Sequence, residues 1–203
     1  MRNRLIALVV LVCFLAVFSG CTSLKGNVPF QYQPSLISST KKIDKIVGFN
    51  IVKDGRSEKD IKSMEKTIKD VPNKVTYKIM EDFKSSNIFR EVNFPTRDTD
   101  DIVINGTLHK FNWKVNTNWF AILTYLMYFG LPVEEHVGEV DISLEIVDNN
   151  YGKVLGTIRG SSLDKLNYSI YKMSVGEAGS ELAEALRETV KELKEKVLTE
   201  INF

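Results

Sequence analysis

Two histidines, two cysteines and one dense acidic cluster are the residues whose types could do chemistry in this chain of 203 residues. A hydrolytic or transfer enzyme needs a nucleophile with a base, a carboxylate pair or a metal cluster. His109 and His136 stand far apart, with no ligand spacing around either. The chain contains no HExxH, no CxxC and no Gly-rich phosphate loop. Glu134-Glu135-His136 is the densest polar run, but it follows Pro132 and opens a strand, so a solvated turn is its simplest reading. His109 is expected on an outward sheet face beside Asn105 and Thr107. Asp54-Gly55-Arg56 fits an Asx turn or a local ion pair. These residues do not assemble a reaction, so a non-enzymatic protein without metal or diffusible cofactor is expected.

Cys21 is different, because its neighbours specify what its thiol is for. Arg2 and Arg4 form a short basic region, Leu5 to Phe18 is an unbroken apolar run, and the small residues Ser19 and Gly20 lead directly into the cysteine. Basic, apolar, then small is the order of a secretory signal. The apolar run is short of the roughly 20 residues a spanning helix needs. The ending Phe18-Ser19-Gly20-Cys21 resembles the lipobox read by the bacterial diacylglyceryl transferase and the lipoprotein signal peptidase. Phe18 departs from the usual Leu. The resemblance implies cleavage after residue 20 and covalent diacylglycerol and N-acyl lipid on Cys21, hence a membrane held through a lipid anchor. Thr22 follows, where an Asp would imply inner-membrane retention; resemblance to the enterobacterial sorting rule implies, for a diderm source, outer-membrane anchoring with a periplasmic domain. Cys13 leaves with the signal and Cys21 carries the lipid, so no thiol remains to form a disulfide.

Loss of Arg2 and Arg4 takes the 27 basic residues to 25, against 26 acidic ones. That balance, without a basic block, gives no electrostatic footprint for nucleic acid. About 183 residues remain, enough for one domain with a substantial core. The expected division is 1–20 signal, 21–42 lipidated polar tether and 43–203 folded domain, with an apolar insertion at 117–132. Phe30 and Tyr32 are aromatics in the tether that could instead dock on the domain.

The elements that must carry these residues follow from periodicity. Val47, Phe49 and Ile51 alternate as a first strand ending at Asp54-Gly55. A short exposed helix fits 59–69. Pro72 opens a helix with Val75, Ile79 and Phe83 on one stripe, and a short strand is expected near 91–94. Ile102, Ile104 and Leu108 share one parity whereas Phe111, Trp113 and Val115 take the other, which requires a bulge near Lys110. Val140, Ile142, Leu144 and Ile146 alternate cleanly, and Asp148 to Gly152 is a hairpin loop to a strand over 153–161. Ser174 and Glu177 have capping-box spacing. The final helix has its apolar stripe at Leu182, Leu186, Val190, Leu193, Val197 and Ile201, and a charged face including Lys191, Lys194 and Glu195 that is expected in solvent. The sum is an α+β two-layer sandwich, a mostly antiparallel sheet with two helices packed on one face.

The order of these motifs resembles a group of envelope lipoprotein domains. It includes the periplasmic part of the curli secretion channel lipoprotein and the amino-terminal domain of the Tol-system propeller protein. The resemblance spans roughly residues 43 to 200 and is carried by the Val47-to-Ile51 strand, by Phe83-Lys84-Ser85-Ser86-Asn87-Ile88-Phe89, by Asp101 to Leu108, and by Leu144 to Asp148 followed by Gly152-Lys153-Val154-Leu155. It implies a part of an envelope machine, with an envelope protein partner and homo-oligomerisation left open.

One segment fits no element pattern. Trp119 to Leu131 (Trp119, Phe120, Ala121, Ile122, Leu123, Thr124, Tyr125, Leu126, Met127, Tyr128, Phe129, Gly130, Leu131) is apolar on every helical face and too short to span a bilayer. Three readings compete, in order of weight: a plug buried in the core, a docking surface for a protein partner, and a membrane-interface or lipid-chain contact. The expected function is an accessory or scaffold subunit of an envelope assembly or transport system. The alternative is a carrier or chaperone for lipid or lipopolysaccharide that uses 119–131.

Overall fold

The computed structural model describes residues 31–35, 42–64, 68–171 and 179–203. Cys21, the signal, most of the tether with Phe30, and the Ser174–Glu177 capping pair lie outside the described residues.

The longest segments with alternating apolar residues set the architecture. β4 (Ile102–Thr117) and β5 (Glu134–Asp148) pair antiparallel along their whole length, from Ile102↔Asp148 to Thr117↔Glu134. β6 (Lys153–Tyr168) continues the meander against β5, from Asp148↔Lys153 to Glu134↔Tyr168. The Asp148 carboxylate turns the hairpin by accepting from the backbone N–H groups of Asn150 (2.9 Å) and Tyr151 (3.2 Å). The amino-terminal half joins the other side of β4 in parallel. β1 (Ile43–Phe49) lies between β4 and β3 (Phe89–Asn93), and the two-residue β2 (Lys53–Asp54) adds to β4 further along. The six-stranded mixed sheet thus runs β3-β1-β4-β5-β6, with β2 beside β4.

The predicted bulge is present. The β4–β5 register shifts between Leu108 and Lys110, so that Leu108 pairs Ile142 while Lys110 pairs Asp141. The extra residue returns Phe111, opposite Val140, to the side that holds Ile104 and Leu108; all four are buried. On that side lie α2 (Val71–Ser85), with Val75, Ile79 and Phe83 buried, and α4 (Ser180–Glu200), whose whole predicted stripe is buried. One core cluster contains both helix stripes and the sheet residues facing them. α1 (Glu58–Met64) lies beside β4, where Asn112 donates to Asp60 at 3.0 Å. This is the expected α+β sheet with two helices on one face.

Three local expectations are corrected. β1 stops at Phe49, and Ile51 is 55% exposed while Val52 takes the buried position. β6 extends to Tyr168 rather than Ser161, because it keeps pairing with a β5 that begins at Glu134. Lys194 is not on a solvated face: its side chain is fully buried against α2.

Candidate functional site

The β4–β5–β6 meander is longer than the helix covering it. Fifteen strand steps reach about 50 Å and the 21 residues of α4 about 31 Å. From Lys114 to Thr117 β4 is exposed along its length, so this end of the sheet stands clear of the helical layer as an arm. Where the arm leaves the domain, α4 begins almost in contact with β5. A Cβ on Gly138 would come within 2.4 Å of the Glu181 backbone, so glycine is what permits the approach.

The buried Glu181 carboxylate organises that junction. It accepts from Tyr168 Oη at 2.7 Å and Trp113 Nε1 at 3.3 Å. His136 lies against the Tyr168 ring at 4.3 Å between centroids, meets Trp113 edge-on at 5.4 Å, and bonds Glu134 through Nε2 at 3.0 Å. Glu134-Glu135-His136 does open a strand, β5, but the expected solvated turn is corrected: His136 is enclosed by aromatic rings. With Glu181 fully covered and tied to two aromatic donors, the group fastens arm to helix and offers no open position to a reactant. His109 does occupy the outward sheet face, where Nε2 bonds Ser143 Oγ at 2.8 Å. Arg56 and Asp54 form the local ion pair at 2.8 Å. Among the described residues no group of three His, Cys, Asp or Glu is placed to hold a metal.

The arm ends in the apolar segment. Asn118 closes its base: the backbone N–H donates to Val133 O (2.7 Å), Nδ2 donates to Pro132 O (3.0 Å), and Oδ1 accepts from Ala121 N (3.2 Å). α3 (Trp119–Leu123) then gives one helical turn and Leu126–Phe129 a 3-10 turn. Tyr171 Oη donates to Tyr128 O at 2.7 Å, so the chain leaving β6 braces the same loop. Only Ala121 is buried; Ile122, Leu126 and Met127 are half-buried. Trp119, Phe120, Leu123, Tyr125, Tyr128, Phe129 and Leu131 are exposed, Phe129 to 86% and Trp119 to 51%. The core-plug reading is overturned. The segment sits at the tip of an arm that outruns the helices, so among the described residues no second layer covers it.

A second feature was invisible to periodicity. Tyr32 and Ser35, from the expected tether, are buried between α2 and α4. Tyr32 Oη donates to the Asp82 carboxylate, and the backbone N–H of Ser35 donates to it at 2.7 Å. Lys194 donates to Asp82, to Ser35 O and, at 2.7 Å, to Ser86 Oγ. Burial, reinforced by the Asp82 carboxylate, drives the Tyr32 phenol far above the usual tyrosine range. Burial also pulls the Lys194 ammonium below its usual value, against the opposing effect of Asp82. Tyr32 thus docks on the domain, the second of the two readings open for it.

No protein-family model and no curated protein matches this chain. Solved structures do. A DUF330 protein from Xanthomonas campestris superposes with a TM-score of 0.54 at 8% identity, covering 83% of this chain and 92% of that one. The PelC dodecamer from Paraburkholderia phytofirmans gives 0.42 at 11% identity, over 81% and 93%. A minor lipoprotein from Acinetobacter baumannii gives 0.39 at 4% identity, over 75% and 91%. The first likeness is one of fold; membership of the curli and Tol group does not follow from it.

Proposed function

We propose that this protein is a lipid-anchored, non-enzymatic accessory subunit of a cell-envelope assembly or transport system, tethered to the outer membrane through Cys21 with its domain in the periplasm. The observation that carries the reading is the apolar tip. Seven large apolar side chains are exposed together on a loop whose base is fixed by Asn118 and Tyr171. Exposed apolar surface gathered in this way marks a contact site. A braced loop loses less conformational freedom on contact than a loose one. The remainder of the domain supplies support for that surface: the Glu181 junction holds the arm to α4, and the Asp82–Lys194 pair holds the chain that leads to the anchor.

The lipid-carrier alternative asks for a cavity that shields an acyl chain. Two described clefts are lined mainly by polar groups, with Val140 and Leu163 in one and Pro132 in the other. One lies among Lys110, Glu139, Asp141 and Ser161, and the other among Asn116, Asn118, Glu135 and Asn167. An accessory subunit uses the tip as it stands, so that reading is preferred. Self-association has a separate place to occur, because β6 is an edge strand with Leu163 and Leu166 exposed.

A photo-crosslinking residue at Phe129 in intact envelopes tests the proposal. Crosslinks at Phe129, to an envelope protein or to lipid, with none from a control position at exposed Tyr151, support it. Equal labelling at both positions would refute it.

A further inference from the structure

We propose that the surface met by the tip is the interface of the same bilayer that holds the lipid on Cys21, so that anchor and tip together fix the domain's orientation. The inference rests on the preceding reading of a lipid-anchored domain with the tip as its contact surface.

The pinned tether makes the two attachments geometrically compatible. Because Tyr32 is fixed at Asp82, ten residues lie between the lipidated cysteine and the docked tyrosine, and the chain between them reaches roughly 35–40 Å when extended. Tyr32 and Ser35 both meet the Asp82 carboxylate, which pairs with Lys194. The start of α4 packs at Gly138, where the arm leaves the domain. Lys194 to Glu181 covers about 20 Å of helix, and the strand from Trp113 to the tip adds about 15–20 Å. The sum matches the reach of the pinned tether.

The chemistry of the tip matches a membrane interface. No charged residue occurs from Val115 to Val133. Trp119, Tyr125 and Tyr128 are exposed beside Phe120 and Phe129, an assortment of amphipathic and apolar rings suited to the headgroup boundary. Lys114 and Lys165 along the arm and Glu134 and Glu135 at its far end, with Lys165 and Glu135 3.6 Å apart, put charge just behind the tip, which limits how deep the tip can go. None of the described helices is long and apolar enough to cross a membrane, and α3 has five residues, so the fit is to the interface. An apolar peptide contact beside the lipid anchor adds buried apolar area to the attachment.

The test uses the full lipidated chain in vesicles of phosphatidylethanolamine and phosphatidylglycerol whose acyl chains carry bromine, a contact quencher of tryptophan. Trp113 at the base and Trp119 at the tip are the two tryptophans. About half of the emission is expected to be quenched, with the quenching lost in Trp119→Phe and reduced several-fold in Phe129→Asp. A Gly-Ser insertion of about 20 residues between Gly26 and Asn27 lowers the local concentration of the tip and is expected to cut quenching at least twofold. Unchanged quenching on insertion would overturn the coupling of tether to tip. Absence of bromolipid quenching in the lipidated chain would overturn membrane contact altogether. If Phe129 then crosslinks an envelope protein in cells, the tip meets protein, and the functional reading survives without this inference. If it captures neither protein nor lipid, both fail.

Discussion

Lys194 on α4 and Asp82 on α2 form an ion pair in which neither side chain has any exposed surface. Their remaining hydrogen-bonding capacity is taken up by Tyr32, Ser35 and Ser86, so the pair closes around the incoming chain. Two charges removed from water are tolerable when each has the other and further polar partners. Removing one partner strands the other. Asp82→Asn or Lys194→Met is expected to cost about 3–5 kcal/mol. The double replacement should cost less than the sum of the two. Urea unfolding of the four proteins in a double-mutant cycle checks this.

Tyr32 supplies a pH dependence whose sign follows from its raised pKa. The unfolded phenol ionises near pH 10, whereas the folded one stays neutral because of burial and the neighbouring Asp82 carboxylate. Its contribution is fully present below about pH 10 and is lost as pH rises above it, where unfolding releases a proton. Between about pH 8 and 11 the parent protein should lose more stability than Tyr32→Phe, as read from urea midpoints. Equal slopes would show that the phenol is not shielded.

Asp54 gives the opposite limb. The hydrogen bonds from the Arg56 side chain, foremost among several causes, hold its carboxyl below the ordinary range despite partial burial. Its stabilisation is present above the unfolded value near pH 4 and disappears as pH falls through the lower folded value. Asp54→Asn is expected to cost about 2 kcal/mol at neutral pH and to flatten the acid limb of a stability–pH profile. The neutral-pH loss arises because Arg56 is buried and loses its charged partner.

Gly138 faces the first turn of α4 too closely for any side chain. Gly138→Ala should displace Glu181 from Tyr168 and Trp113 and cost about 2 kcal/mol or more. Thermal unfolding reads the loss, and a red-shifted Trp113 emission would report the opened junction.

The tip should separate contact from stability. Phe120→Asp and Phe129→Asp alter exposed positions, so each is expected to change unfolding free energy by no more than about 0.5 kcal/mol. Ala121→Asp, at the covered position within the same loop, should destabilise markedly. Thermal unfolding of the three variants compares them directly.

Much of the fold was legible because the relevant signals are local. The parity change between Leu108 and Phe111 demands an extra residue wherever the strand pairs, and the structure places it at His109. Val75, Ile79 and Phe83, like Leu182 to Ile201, recur at helical spacing and all pack into the core. The strand alternation of Val140 to Ile146 survives for the same reason. The second half of β6, Ser162 to Asn167, carries no such signal because it lies on an edge where polar and apolar residues are both accommodated.

By itself the sequence determined the address at Cys21 as an expectation, the amphipathic stripes and the bulge, since each is a property of neighbouring residues. Only the tertiary structure decided the fate of Lys194, which looks like any surface lysine until Asp82, 112 positions away, is placed beside it. The same holds for His136, enclosed only once β4, β5 and β6 bring Trp113 and Tyr168 to it. The Trp119–Leu131 segment is the sharpest case. An apolar stretch with no polar face is compatible with a core and with an exposed tip alike, because hydropathy records what a residue prefers and not what stands opposite it. The strands carry this segment beyond the reach of α4, and that difference in length leaves it uncovered.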